Sequence, residues 1–355
     1  MSLYNIEIFR HDFSYRSSTQ IQDISYEFDY LSLSKNKIKL QNVSAERGDY
    51  IRITKGLRKI CGVIKGVSES DTTCIEYMNI LSIFDVNVHA DIIGFLNDST
   101  VCIEKWLADT IQDVFVRNDD VLQNIHGMEV RTFTETSGKK KLQYDSNIFN
   151  LHELIINVLI QHSIVVDIDV DVQKKKILVE IGKRKGKEKH IEADLPNILD
   201  KEIAIEEGEE AINKILVINE DNQNEQVSYY LLQDGTVSSV AEDTNRISPV
   251  IFDTTFISIS DDEIFYEKAY DEAVSSLKPE EYDNYISITI NNEDKLVKPD
   301  EWLIGHKAII IHKGNVYCSI LTGIEIKKRT TLMFGAVRKD LTKKLKRRKK
   351  SERYY

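Results

Sequence analysis

The opening part of the chain alternates between apolar and polar residues, a period of two that is typical of half-buried β-strands. The alternation is clearest over residues 4–9, 21–30 and 50–53. Turn-forming pairs such as Gly48-Asp49 separate these stretches at short intervals. Several short strands joined by frequent turns are typical of a small barrel or sandwich. We therefore predict a first β-barrel domain over residues 1–95.

Near residue 96 the apolar spacing changes to the period of helices. The residues that share one helical face, after the capping residues 97–100, are Ile103, Trp106, Leu107 and Ile111. A second helix is predicted over 150–162, and a strand pair over 165–172 and 176–181. These elements predict an α/β insert domain over residues 96–190.

Strands predominate again over residues 191–337. They are predicted at 212–220, 227–232, 250–259, 285–290, 308–312, 316–320 and 331–334, with one helix over 260–277. This pattern predicts a second β-barrel domain over 191–337, with a helical insert near 260–277. With only 4 Pro and 15 Gly, long linkers are not expected and the domains should pack closely. The predicted fold class is α+β, mostly β, with two similar small β-barrel domains and α/β insertions.

The composition is that of a folded chain. Its 355 residues are 41% hydrophobic, enough for two or three domain cores. The four cysteines, Cys61, Cys74, Cys102 and Cys318, have no C-x-x-C spacing, so zinc-ribbon and thioredoxin chemistry lack support and reduced thiols are expected. Neither a secretory signal nor a span of ~20 apolar residues is expected. A soluble protein assembled in the cytoplasm is therefore expected.

Charge is distributed unevenly along the chain. The net charge is −11, but residues 338–353 carry ten Lys and Arg against two acidic residues, so the rest of the chain carries −19. Candidate docking residues in this basic tail, residues 338–355, are Lys343, Lys344, Lys346, Arg347, Arg348, Lys349 and Lys350. Such a tail either docks on an acidic surface or nucleic acid, or is a solvated terminus without a partner. The acidic body disfavours nucleic acid.

A weak internal repeat relates the two predicted barrels. Gly48, Cys61 and Gly66 have the same spacing as Gly305, Cys318 and Gly323, with 13 residues from the first Gly to the Cys and five to the second Gly. We predict one hairpin unit used twice, with the cysteines as small buried residues in equivalent sites. The alternative is that the restricted sequences of hairpins make unrelated ones alike.

Three segments together resemble the hub and tail-associated proteins of tailed phages. They are residues 45–53 with the hairpin that ends at 75–77, the strand at 213–220, and the last hairpin with its closure at 334–338. The likeness lies in pattern and order over nearly the whole chain. It implies a structural virion protein in which two related barrels per subunit form a trimer, giving six near-equivalent barrels around the tail channel.

The resemblance also implies partners and a location. The expected partners are further copies of this chain, tape-measure or tail-tube proteins, and tip or fibre proteins. The expected location is the tail tip of a phage or prophage virion, where the hub or baseplate links a sixfold tube to a threefold tip.

Catalytic and metal signatures are not recognisable in the sequence. Asp167, Asp169 and Asp171 alternate along a strand, but an EF-hand loop would need Gly where Val172 stands. His152-Glu153 lacks the second His of H-E-x-x-H, and the basic run 182–187 lacks the phosphate-loop pattern. We therefore expect no enzymatic activity, no cofactor and no metal. The alternative function is a monomeric β-barrel module that binds carbohydrate or nucleic acid.

Overall fold

The computed structural model describes residues 3–56, 58–89, 102–135, 148–184, 186, 188–205, 213–232, 237–240, 252–259, 264–277 and 284–335. Contacts divide the chain into two compact units. The larger contains residues 1–203 and 286–336, and the smaller contains residues 204–285 and 337–355. The four-part division made from the sequence, at 1–95, 96–190, 191–337 and 338–355, stays a prediction.

The described residues form short strands and three α-helices. In chain order the strands are β1 Tyr4–Phe9, β2 Tyr15–Ile21, β3 Tyr26–Asp29, β4 Lys35–Leu40, β5 Tyr50–Lys55, β6 Arg58–Glu69, β7 Thr73–Asn79, β8 Asn87–His89, β9 Met128–Thr132, β10 Ile148–Asn150, β11 Ile164–Asp171, β12 Lys176–Lys183, β13 Lys189–Glu192, β14 Asp200–Ile205, β15 Lys214–Asn219, β16 Gln226–Leu231, β17 Val237–Ser238, β18 Phe252–Ile257, β19 Asn284–Ile290, β20 Lys307–His312, β21 Asn315–Ile326 and β22 Thr330–Phe334. The helices are α1 Ile103–Phe115, α2 Leu151–His162 and α3 Phe265–Ser276. The chain is mostly β with a curled half-barrel sheet, which confirms the predicted α+β, mostly-β fold class.

The first sheet of the larger unit has the strand order β2-β1-β5-β6-β7-β4, and all its neighbours are antiparallel. Alternate residues of these strands point inward and are almost fully buried, among them Ile6, Ile53 and Ile75. A β-bulge between Ile64 and Gly66 interrupts the register of β6 and β7. A bulge bends a strand and increases its twist, so β6 bends just beyond the residues that pair with β5.

The second sheet has the order β13-β20-β21-β22-β19-β14, and β3 pairs with β21 beside this path. β3 therefore leaves the sheet to which β2 and β4 belong. Its Tyr26 lies in the same hydrophobic cluster as Ile326 of β21 and the inward residues of the first sheet. The strand exchange thus joins the two sheets through a shared core.

The predicted strand over residues 21–30 is wrong as a continuous element. The structure has β2 ending at Ile21 and β3 beginning at Tyr26, with buried Ile24 between them. The chain changes sheets at this point, because β2 pairs with β1 while β3 pairs with β21. Sequence alternation continues through the crossing, so periodicity alone does not show it.

The insert combines α1 and α2 with a small sheet of order β11-β12-β9. The helix predicted over 150–162 begins at Leu151, where the Asn150 side chain accepts hydrogen bonds from the His152 and Glu153 amides. Its apolar face is fully buried at Leu151, Leu154, Ile155, Val158 and Leu159. α1 begins at Ile103 after Cys102, and Trp106 of its predicted apolar face is buried.

The smaller unit contains a sheet of order β17-β16-β15-β18 and the helix α3. Ala269, Ala273 and Leu277 follow one another at helical spacing and are fully buried against Ile215 and Val217 of β15. The helix predicted over 260–277 is therefore present over Phe265–Ser276, with its apolar face on the sheet.

Tyr30, which directly follows β3, connects three elements of the larger unit. Its amide donates to the Thr322 carbonyl (2.9 Å), and its own carbonyl contacts His152 Nε2 of α2 (3.1 Å). Its hydroxyl accepts a hydrogen bond from the Val166 amide of β11 at 3.0 Å. Tyr30 is 1% exposed, and burial raises the pKa of its phenol. The hydroxyl is thus the acceptor for a buried backbone amide.

Replacing Tyr30 with Phe should lower the free energy of unfolding by about 1–3 kcal/mol, because the buried Val166 amide loses its acceptor. The matched control is Tyr15→Phe, whose hydroxyl contacts Ser18 Oγ at 2.8 Å in a side chain that is 58% exposed. That change should stay within about 0.5 kcal/mol. Urea unfolding of both variants measures the difference, and equal losses would contradict the assigned role of the Tyr30 hydroxyl.

Candidate functional site

Two three-stranded units of the larger unit have the same backbone register. In the first, Tyr50 pairs with Val63 and Lys55 with Arg58 across β5 and β6. In the second, Lys307 pairs with Ile320 and His312 with Asn315 across β20 and β21. Adding 257 (307 minus 50) to both residue numbers of any β5-β6 pair gives a pair of β20-β21. We call β5-β6-β7 the first repeat unit and β20-β21-β22 the second.

The same offset holds on the other side of the long central strand. Tyr77 pairs with Ile64 and Thr73 with Glu69, while Phe334 pairs with Leu321 and Thr330 with Ile326. Each central strand has 12 residues and a bulge just before its second glycine, Gly66 or Gly323. Agreement in register, bulge and length goes beyond what similar turns alone would produce.

The first glycine of each unit adopts a conformation that other residues rarely adopt. Gly48 has φ +93° and Gly305 has φ +84°. Their amides donate to the carbonyls of Ile64 (2.9 Å) and Leu321 (2.8 Å). The glycines identified from the sequence therefore occupy corresponding turns, each holding the start of a hairpin against its central strand.

The expectation that both repeat cysteines are buried is wrong for Cys318. Cys61 is 6% exposed, its Sγ lies 3.8 Å from Asp169 Oδ1, and burial raises its pKa to about 11. Cys318 occupies the corresponding position of β21 but is exposed. The difference arises because β11 of the insert contacts β6 at Cys61, and sequence spacing carries no information on that contact.

Charged side chains connect the insert with the regions around both repeat units. Lys59 of β6 contacts Asp169 and donates to the Val170 carbonyl at 3.2 Å. Arg184 pairs with Asp167 at 2.6 Å and donates through Nε to the Ile304 carbonyl at 3.0 Å. Arg58 also forms an ion pair with Asp300. The insert therefore contacts the first repeat unit and the segment that leads into the second.

The three alternating aspartates of β11 have separate cationic partners. Asp171 lies 3.5 Å from Lys174, while Asp167 and Asp169 pair with Arg184 and Lys59. Burial raises the pKa of Asp167, and the Arg184 charge opposes that shift. No group of three or more His, Cys, Asp or Glu that could hold a metal occurs among the described residues. The aspartates act as ion-pair partners in this arrangement.

Trp302 closes one end of the second sheet. It is 3% exposed, packs edge-on against Phe334 with ring centroids 5.3 Å apart, and donates through Nε1 to the Val297 carbonyl. Lys189 Nζ lies over the same ring, 4.8 Å from its centroid. His306 lies beside the same ring, at 6.2 Å between centroids. The positions of Lys189 and His306 relative to Trp302 depend on the sheet, so the sequence does not indicate them as its neighbours.

The basic tail, with its candidate docking residues 343–350, lies outside the described residues. Of the basic run 182–187, Arg184 pairs with Asp167 and donates to the Ile304 carbonyl. None of the described helices is long and apolar enough to cross a membrane.

Solved structures that resemble this fold over their full length include the following three. A chain of the phage P2 baseplate, in its activated conformation with Ca, aligns over 94% of this chain and 98% of its own, at a TM-score of 0.51 and 14% identity. The 43 kDa tail protein of prophage MuSo2 from Shewanella oneidensis aligns over 94% and 97%, at a TM-score of 0.54 and 11% identity. Prophage tail protein gp18 from Listeria monocytogenes EGD-e aligns over 96% of each chain, at 0.51 and 12%.

The chain has the fold of these baseplate and tail proteins. The resemblance predicted from the sequence is thereby confirmed at the level of fold. No protein-family model and no curated protein matches the sequence. The likeness therefore rests on backbone architecture, in keeping with identities of 11–14%.

The two turn glycines allow a matched comparison. A Cβ on Gly48 would have no heavy atom within 4 Å, whereas a Cβ on Gly305 would collide with Val165 Cγ1. Gly48→Ala should cost only the backbone strain of positive φ, about 1–2 kcal/mol. Gly305→Ala should cost a further ~1–3 kcal/mol from overpacking. Equal losses in urea unfolding would show that the insert does not press on the second turn.

His306 should make stability depend on pH. Burial, with the charges of Lys189 and Arg184, lowers its pKa from 6.5 to about 4, and its Nδ1 accepts a hydrogen bond from the Leu303 amide. Between pH 6.5 and 4 the imidazole of His306 is therefore protonated in the unfolded chain but not in the folded chain. The free energy of unfolding should therefore decrease as the pH is lowered from 6.5 to 4. The decrease should be less steep in His306→Asn. Urea unfolding at each pH tests the slope, and an NMR pKa near 6.5 would contradict it.

Proposed function

We propose that this chain is a structural protein of a phage or prophage virion, a baseplate or tail-tip hub that links the tail tube to the distal tip. It assembles as a homotrimeric ring around the tail channel. The fold likeness to phage P2 baseplate and prophage tail proteins supports a place in the tail. The repeated units of the chain itself support the more specific role of a hub.

The observation that carries the hub proposal is the repeated unit with its single offset of 257 residues. Two equivalent backbone units in one chain become six in a trimer. A ring of six near-equivalent units can face a sixfold tube on one side while its true symmetry remains threefold. This arrangement requires two similar units of fixed spacing in each subunit.

The contacts of the insert support a rigid rather than a catalytic role. Ionisable residues that could suggest chemistry have structural partners, as with Asp167 and Arg184 or His152 and the Tyr30 carbonyl. Burial lowers the pKa of His152, so it stays neutral where it contacts that carbonyl. We therefore infer a non-enzymatic protein whose insert holds the two repeat units at a constant distance.

The proposed partners are further copies of this chain, tail-tube or tape-measure proteins on one side, and tip or fibre proteins on the other. The basic tail, with candidate residues Lys343, Lys344, Lys346, Arg347, Arg348, Lys349 and Lys350, is a proposed docking arm. An acidic neighbour within the tail assembly would complement its charge.

Light scattering over a wide concentration range tests the ring directly. We expect a species of three times the 41.0 kDa chain mass. Averaged electron micrographs of that species should show six lobes around a central hole, because each chain contributes two repeat units. A dimer, or a trimer with three lobes, would contradict the proposal.

A monomer at all concentrations would also contradict it, and would favour the alternative of a monomeric binding module. That module would bind carbohydrate or single-stranded nucleic acid. Filter binding separates the two ligands. Nucleic-acid binding that falls steeply with salt and is lost on deleting residues 343–355 would support the module.

A further inference from the structure

The two repeat units differ at one edge of the central strand. In the second unit, residues 323–326 of β21 pair with β22 on one edge and with β3 on the other. In the first unit, the corresponding residues 66–69 of β6 pair with β7. Among the strands that the structure describes, none pairs with the opposite edge of 66–69, which we call the open edge of β6.

Hydrogen-bond directions show which amides face the open edge. Ser70 donates to the Thr72 carbonyl at the tip of the β6-β7 hairpin, so its amide points toward β7. Since backbone groups alternate along a strand, the amides of Ser68 and Gly66 also point toward β7, and those of Val67 and Glu69 point away.

The second unit repeats this geometry with its edge filled. Lys327 donates to the Arg329 carbonyl in the same way, so the amides of Ile324 and Ile326 point away from β22. β3 lies there, with Phe28 opposite Ile324 and Tyr26 opposite Ile326. The open edge of β6 therefore presents the amides that β3 meets on β21.

Exposure differs between the two units at one of the two positions whose amides face this edge. Ile326 beside β3 is 2% exposed, whereas its counterpart Glu69 is exposed. Val67 and Ile324 are both half-buried against the same hydrophobic cluster. Residues 66–69 contain no Pro or Lys, the residues that commonly block a strand edge. Nothing in this segment opposes the addition of another strand.

We propose that the open edge of β6 binds a short antiparallel strand of a second copy of this chain. The proposal rests on the ring proposed above and specifies its contact. Within one chain, β3 of the first half fills the edge of the second unit. The same pairing would be repeated between chains if a strand from the second half of one copy paired with the open edge of β6 in the next copy. Such a head-to-tail contact closes into a ring when the rotation between neighbouring copies permits.

The order of elements favours this donor. β3 precedes β4, which pairs with β7, and β19 takes the corresponding place beside β22. Just before β19, the sequence Glu281-Tyr282-Asp283 matches Glu27-Phe28-Asp29 of β3 in residue type. Residues 281–283 lie outside the described residues, so this comparison is of sequence alone.

Val67→Pro tests the contact in the full-length protein. Proline removes the Val67 amide from the open edge, and since this amide does not bond to β7, the hairpin keeps its own ladder. We expect the dissociation constant of assembly, from light scattering, to rise at least tenfold. The matched control is Val67→Ala, which keeps the amide and should change assembly less than threefold. Far-UV circular dichroism checks that both variants fold.

Hydrogen exchange of the unmutated protein gives a second measurement. On assembly, the amides of Val67 and Glu69 should exchange at least tenfold more slowly, while Ser68, already bonded to β7, should not change. Unchanged exchange at Val67 and Glu69 in an assembled protein would place the contact elsewhere and leave the ring intact. If Val67→Pro assembles with the same dissociation constant as the unmutated protein, the contact likewise lies elsewhere and the ring proposal stands. A chain that stays monomeric would overturn both proposals.

Discussion

The larger unit depends on the pairing of β3 with β21. A strand edge inside a folded protein leaves amides and carbonyls that cost about 1–3 kcal/mol each when buried without a partner. β3 satisfies the edge of β21 and brings Tyr26 and Phe28 into contact with the core of the first sheet. Directly after it, Tyr30 contacts both α2 and β11. Two sheets and the insert therefore meet around one crossing of five residues.

The charges around this crossing set positions more than they supply stability. Lys59 and Asp169 are partly exposed, so solvent screens their attraction and their net contribution is small. Arg184 is better buried, and it also satisfies the Ile304 carbonyl. Because the Arg184 guanidinium bonds to both Asp167 and the Ile304 carbonyl, it fixes the distance between these two segments. The proposed ring requires such fixed distances, because an error in spacing is repeated at every subunit contact.

Backbone geometry is repeated between the two units, while side-chain environment is not. Gly48 and Gly305 form equivalent turns, yet only Gly305 is pressed by the insert. Cys61 and Cys318 hold equivalent positions, yet only Cys61 is buried. In the proposed ring, equal backbones with different surfaces allow one chain to present similar units to a symmetric neighbour while each unit contacts different elements of its own chain.

The sequence by itself determined the elements and their grouping into a mostly-β chain. Alternation located β1, β5 and β22, and helical spacing located α2, because these signals are local. The short edge strands β13 and β14 were missed, since a few residues at a sheet edge have little periodicity of their own. The first glycine of each repeat unit, Gly48 or Gly305, was visible because positive φ restricts residue type directly.

Only the tertiary structure decided which strand edges are filled. The crossing from β2 to β3, the inward turn of Arg184 and the exposure of Cys318 all depend on neighbours distant in sequence. A strand edge is made of backbone atoms that every residue except proline carries alike. Residue type therefore reveals that a strand forms, while the fold alone selects its partner.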